Sequence, residues 1–166
     1  MGNPRRAREA AGEGSAGEAE RLELIRDIEA KRGSRVIAYI TADRDGLASG
    51  AYREDVRVLE QHFRAVMRDN PKKVDLFLST DGGDAVASWR LISMAREFLG
   101  GRPFNVLAPG RAMSAGAEVC MGADEVVMGP AANIGPIDTQ LMNQESGAWL
   151  SVESVNSYFD FLGDVG

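Results

Sequence analysis

What most constrains this chain is an alternation. Four short runs of β-branched, aliphatic and aromatic residues, SRVIAYIT, KVDLFLST, PFNVLAPG and DEVVMGP, are separated from one another by segments with helical periodicity. Strands joined by helices are not hairpin neighbours. The long connections suit parallel pairing, and a parallel sheet needs helices over its faces. The expected class is α/β, a mostly parallel sheet flanked by helices.

The helical segments support this reading. YREDVRVLEQHFRAVMRDN places Val56, Leu59, Phe63, Val66 and Met67 on one stripe and stops before Pro71. DAVASWRLISMAREFLGG closes on Gly100 and Gly101, MSAGAEVCMGA is a short helix of small residues, and VESVNSYFDFLG brings Val152, Val155, Tyr158, Phe159 and Leu162 to helical spacing. An earlier helix, ERLELIRDIEAKRG, carries Leu22, Leu24, Ile25 and Ile28 and ends at Gly33. Residues 1–18 are rich in Gly, Ala and charge with nothing periodic to bury, so they are read as a disordered tail before a single domain, 19–166.

Charge and composition exclude several functions. A net charge of -6, with arginines scattered among acids, argues against a nucleic-acid partner. Apolar stretches are broken by charge or glycine too soon for a membrane span or a secretory leader, so a cytoplasmic protein is expected. Cys120 is the only cysteine; it rules out an internal disulfide, argues against a cysteine zinc site, and is read as packing among small neighbours. No P-loop is present, and no GxGxxG stands between a strand and a helix, so no cofactor or metal is expected.

Two strand ends carry the functional signal. The strand at 74–79 runs into Thr80-Asp81-Gly82-Gly83, and the strand at 104–108 runs into Pro109-Gly110-Arg111-Ala112-Met113-Ser114. Adjacent parallel strands lie about 5 Å apart and open sheets bind ligands beyond their carboxyl ends. The glycine turn and the Ser114 hydroxyl are then expected on one edge. Gly82 and Gly83, having no Cβ, can present their N–H groups closely, and Ser114 would open a helix whose first residues, Ala115, Gly116 and Ala117, are small. A nucleophilic oxygen beside preorganised donors is what acyl transfer needs. The plainer alternative is that Ser114 is a helix N-cap and the glycines an ordinary turn.

At these residues the sequence resembles the Clp protease and crotonase superfamily, most closely its serine dehydrogenase proteinase branch, related to signal peptide peptidase A. The matching pieces are VDLFLSTDGGDAVAS, VLAPGRAMSAGAEVCMGADEVVMGP and NIGPIDTQ, within residues 34–141. The resemblance implies repeated ββα units and serine peptidase chemistry on peptides or unfolded segments. It places the nucleophile on Ser114 and the oxyanion donors on the backbone of Gly82, Gly83 and Ala115. It also implies self-association into rings or trimers.

A serine needs a base. His62, the only histidine, falls in the helix before the second strand and is read as a surface or packing residue. Of the three lysines, Lys72 and Lys73 enter the second strand at the wrong end, and Lys31 closes an early helix. Asp138, in GPIDTQ, falls near where Clp-type proteases place their histidine; it is taken as catalytic, orienting a base or binding substrate, with a turn role as the alternative. Asp84 and Met113 are candidate substrate contacts, Asp84 being equally explained as a helix cap. Relatives of the serine dehydrogenase proteinase type run beyond this chain's last residue and carry a histidine motif there, so a split or catalytically silent version is a second expectation. Three functions follow: a serine peptidase, a non-catalytic peptide-binding or assembly module, and a crotonase-like enzyme acting on acyl-CoA.

Overall fold

The structure, a computed structural model, describes residues 4–41, 53–137, 140–142, 146–147 and 149–165. Its elements in chain order are α1 (Pro4–Arg32), β1 (Arg35–Ile40), α2 (Arg53–Met67), β2 (Val74–Ser79), α3 (Ala85–Leu99), β3 (Phe104–Ala108), β4 (Arg111–Ala112), α4 (Ala115–Met121), β5 (Glu125–Met128), β6 (Asn133–Ile134), β7 (Gln140–Met142), β8 (Trp149–Ser151) and α5 (Val152–Val165). The four strands foreseen from composition form one parallel sheet in the order β1-β2-β3-β5. The helices α2, α3 and α4 pack side by side against it.

Alternation along the strands decides which side chains meet the helices. Val74, Leu76 and Leu78 of β2 and Phe104, Val106 and Ala108 of β3 join Leu59, Phe63, Leu91, Ala95, Leu99 and Val119 in the buried core. Phe63 stacks on Phe98, with ring centroids 6.0 Å apart. The intervening β2 and β3 residues include Asp75 and Asn105, both buried on the opposite face. There the Arg32 guanidinium, the Ser34 hydroxyl and the Asn105 amide all donate to the Asp75 carboxylate. This ties the end of α1 to the amino edge of the sheet. Helical backbone begins at Pro4, within the stretch read from composition as a tail.

A second layer of pairing has no periodic signature. β4 pairs in parallel with β6, and Thr80 bridges in parallel to Ala112. β3 is thus followed by a short strand and then α4, the strand, strand, helix unit that the resemblance implies. β7 and β8 form an antiparallel hairpin in a region read as loop. Among the described residues no helix is long and apolar enough to cross a membrane.

Candidate functional site

The Arg111–Met113 segment is held from both sides. Thr80 N–H donates to Arg111 O at 2.8 Å and Met113 N–H donates to Thr80 O at 3.1 Å; on the other flank Gly135 N–H donates to Ala112 O and Ser114 N–H to Pro136 O, each at 3.1 Å. This clamp delivers the chain to Ser114 at the start of α4.

Ser114 occupies the N-cap position without capping. Its backbone takes φ 49°, ψ -115°, and its side chain makes no hydrogen bond to the helix. A positive φ in a residue other than glycine is costly and tends to mark functional turns. The plainer reading of Ser114 as a capping hydroxyl therefore fails. The first turn of α4 is instead fastened through backbone, Gly116 N–H to Met113 O and Glu118 N–H to Ser114 O.

The small residues behind Ser114 have a packing reason. A Cβ on Gly116 would lie 2.4 Å from Thr80 Cγ2, so only glycine lets the helix start sit directly on Thr80. Ala115 and Ala117 are buried beside it, and the Glu118 carboxylate accepts from the buried Ser88 hydroxyl.

The glycine turn closes on the serine from the other side. Gly82 has φ 122° and Gly83 φ 147°, and a Cβ on Gly82 would stand 2.9 Å from Ser114 Cβ and 3.5 Å from Ser114 Oγ. The turn after β2 and the hydroxyl after β3 therefore meet at the carboxyl edge of the sheet. Gly82 N–H is already donated to Thr80 Oγ1 at 3.1 Å. Gly83 itself sits in an isolated β-bridge, and among the described residues no hydrogen bond engages its N–H or that of Ala115.

Charged residues frame this meeting point. Asp81 pairs with Arg111 at 3.1 Å at the rim. Asp84 caps α3 by accepting from Val86 N–H at 2.7 Å and also pairs with Arg53; these two contacts, Arg53 first, hold its carboxyl below the usual range. Met113 is half-buried. Asp138 lies outside the described residues. Among the described residues no group of histidine, cysteine and carboxylates could hold a metal ion.

A model of the family described as ClpP-like SDH-type serine proteinases matches residues 14–157. The chain belongs to that family. A curated relative from Methanocaldococcus jannaschii, named only as an uncharacterized protein, is 34% identical over 128 residues, covering 74% of this chain. The chain spans 42% of that relative's length. Among solved structures, a serine-to-alanine mutant of the 1510-N membrane-bound stomatin-specific protease is 19% identical with a TM-score of 0.58, covering 75% of this chain and 57% of its own. A lysine-to-alanine mutant of the 1510-N protease in complex with a substrate peptide is 20% identical, with a TM-score of 0.55 over 75% of this chain and 53% of its own. At that identity the likeness is one of fold.

Within this proteinase-family fold the candidate bases are dispersed. His62 is exposed on α2. Lys31 precedes β1, and Lys72 and Lys73 precede β2, so all three lie at the amino edge of the sheet, opposite the edge where Ser114 sits. Cys120 is buried behind α4; burial pushes its thiol up to about 11, which fits packing rather than nucleophilic work. What composition did not reveal is Thr80, whose backbone and hydroxyl touch both halves of the site. Its only signal was its place, between the second strand and the glycines.

Proposed function

We propose that this chain is a serine peptidase that cleaves peptide bonds through an acyl-enzyme formed on Ser114. The observation that carries the reading is the Ser114 backbone at φ 49°, which leaves the hydroxyl uncommitted to the helix and in contact with the Gly82 turn. Ser114 Oγ attacks the scissile carbonyl, and the N–H groups of Gly83 and Ala115 receive the developing oxyanion. One such donor is worth roughly 3 kcal/mol of barrier. Gly82 contributes close approach, since its own N–H is held by Thr80. Peptide as substrate class is supported by the family's proteinase character and by the similar protease whose structure contains a substrate peptide.

The proton acceptor comes from outside the described residues or from a neighbouring subunit. Asp138 stands two residues beyond Pro136, whose carbonyl takes the Ser114 N–H, and in this proposal it orients that base or contacts substrate. Asp84 and Met113 flank the cleft as substrate contacts. Self-association belongs to the same proposal, supported by the exposed apolar residues Met121, Val126, Val127, Met128 and Ile137 around α4, β5 and the chain after β6.

Fluorophosphonate labelling of the full natural chain tests the proposal. The expected result is modification of Ser114, read by peptide mass spectrometry and abolished in Ser114→Ala. An unmodified wild-type protein would overturn the peptidase reading in favour of a binding module, and thioester cleavage of an acyl-CoA would favour the crotonase-like chemistry.

A further inference from the structure

We propose that Thr80 is the positioning residue of the site, its hydroxyl setting the peptide plane of the Gly82–Gly83 turn while its backbone sets the approach to Ser114. This rests on the peptidase reading for its consequence, though not for its geometry. The Thr80 side chain is buried, and its hydroxyl is fully used. It donates to Gly82 O at 3.2 Å and accepts from Gly82 N–H at 3.1 Å and from the Thr41 hydroxyl at 2.9 Å. One donor and two acceptor positions are all that a threonine hydroxyl has.

Both polar groups of Gly82 that face Thr80 are thereby engaged. With its N–H and C=O pinned to one oxygen, Gly82 cannot rotate, and the orientation of the following amide, that of Gly83, is fixed with it. Without that oxygen, glycine in this turn has several backbone basins of similar energy. The Gly83 donor would then be aimed at the reacting carbonyl only part of the time.

The other atoms of Thr80 hold the segment that leads to Ser114. Its backbone makes both hydrogen bonds to the Arg111–Met113 segment, and its Cγ2 fills the space that Gly116 leaves open at the start of α4. One side chain thus couples donor and nucleophile. Preorganised donors act because they need no reorganisation as charge develops, and small misplacements are expensive.

The test compares Thr80→Val, which keeps the branched shape and removes the oxygen, with Thr80→Ser, which keeps the oxygen and removes the methyl. Denaturant unfolding establishes that each variant is folded. Thr80→Val is expected to label with fluorophosphonate on the order of 10- to 100-fold more slowly than wild type, while Thr80→Ser stays near the wild-type rate. Amide hydrogen exchange at Gly82, whose N–H the Thr80 oxygen holds, is expected to quicken in Thr80→Val and not in Thr80→Ser.

Wild-type labelling speed in Thr80→Val, or equal slowing in both variants, would overturn the proposal and leave Thr80 as packing alone. Should wild type itself fail to label, the peptidase reading falls and the exchange arm decides the positioning role. Unchanged exchange at Gly82 in Thr80→Val then refutes it.

Discussion

Replacing Gly82 with alanine puts the geometry of the site under direct strain. The new Cβ would meet Ser114 Cβ at 2.9 Å and Met113 O at 3.3 Å. Neither neighbour can retreat cheaply. Ser114 is held through its N–H to Pro136 O and its C=O from Glu118 N–H, and Met113 O accepts from Gly116 N–H at 2.8 Å. The backbone adds its own penalty, because φ 122° is a conformation that side chains of L-residues rarely adopt. Strain in such a region costs roughly 1–3 kcal/mol, and overpacking a tight contact about 1–3 kcal/mol more. The sum, on the order of 2–6 kcal/mol, is a large part of a typical domain's stability of about 5–15 kcal/mol. Gly33→Ala is the internal control. Gly33 also has positive φ, at 61°, but nothing lies within 4 Å of its added Cβ, so it carries the left-handed penalty alone, about 1–2 kcal/mol. Urea unfolding followed by circular dichroism measures both variants, and fluorophosphonate labelling below the transition measures the site. Gly82→Ala is expected to lose clearly more stability than Gly33→Ala and to label slowly even while folded. Equal losses in the two variants, with normal labelling in Gly82→Ala, would show that the turn and the serine are not in contact, and the proposed site would go with them.

Two further outcomes follow from titratable groups away from the cleft. Burial alone would raise the Asp75 carboxyl, but hydrogen bonds from Arg32, Asn105 and Ser34, with the Arg32 charge, outweigh it and hold the group below its usual range. A folded value below the unfolded one gives stability that is complete above about pH 4 and is lost as pH falls through the folded value. Asp75→Asn is therefore expected to destabilise the protein at pH 7 by on the order of 2–4 kcal/mol, less than for a fully sealed ion pair because Arg32 keeps some water contact. Its gap to wild type should narrow in acid, and a pH-independent gap in urea unfolding would contradict the assignment. Cys120, 5% exposed and with its thiol raised to about 11 by burial, should resist iodoacetamide at pH 8 until denaturant unfolds the domain. Rapid alkylation of the folded protein would contradict its buried place behind α4.

The large elements were legible because each carries its own period. Val74, Leu76 and Leu78 alternate, as do Phe104, Val106 and Ala108, while Val56, Leu59, Phe63 and Val66 follow a helical stripe, and the same residues form or border the core. The end of α3 was equally readable, since Gly100 adopts the left-handed conformation that such caps use. By contrast β4 and β6 are two residues long and have no period at all. They exist only because Thr80, Ala112 and Ile134 lie side by side after folding, which no window of adjacent residues reports.

The site falls between these two cases. Its ingredients were visible as a glycine pair after one strand and a serine before small residues after the next, but local preference alone points the wrong way for Ser114. A serine at a helix start is favoured because its side chain caps the helix, and here it does not. What overrides that preference is non-local. Gly116 brings α4 onto Thr80, Pro136 takes the Ser114 N–H, and Gly82, lacking a Cβ, lets the glycine turn come close to Ser114. The positive-φ backbone at Ser114 therefore sits where the start of α4, the Gly82 turn and the Pro136 segment come together. If the proposed site depends on this convergence, restoring a Cβ at Gly116 should slow fluorophosphonate labelling as strongly as restoring one at Gly82, although Gly116 is buried behind the cleft: its Cβ would lie 2.4 Å from Thr80 Cγ2 and push α4 away from the glycine turn.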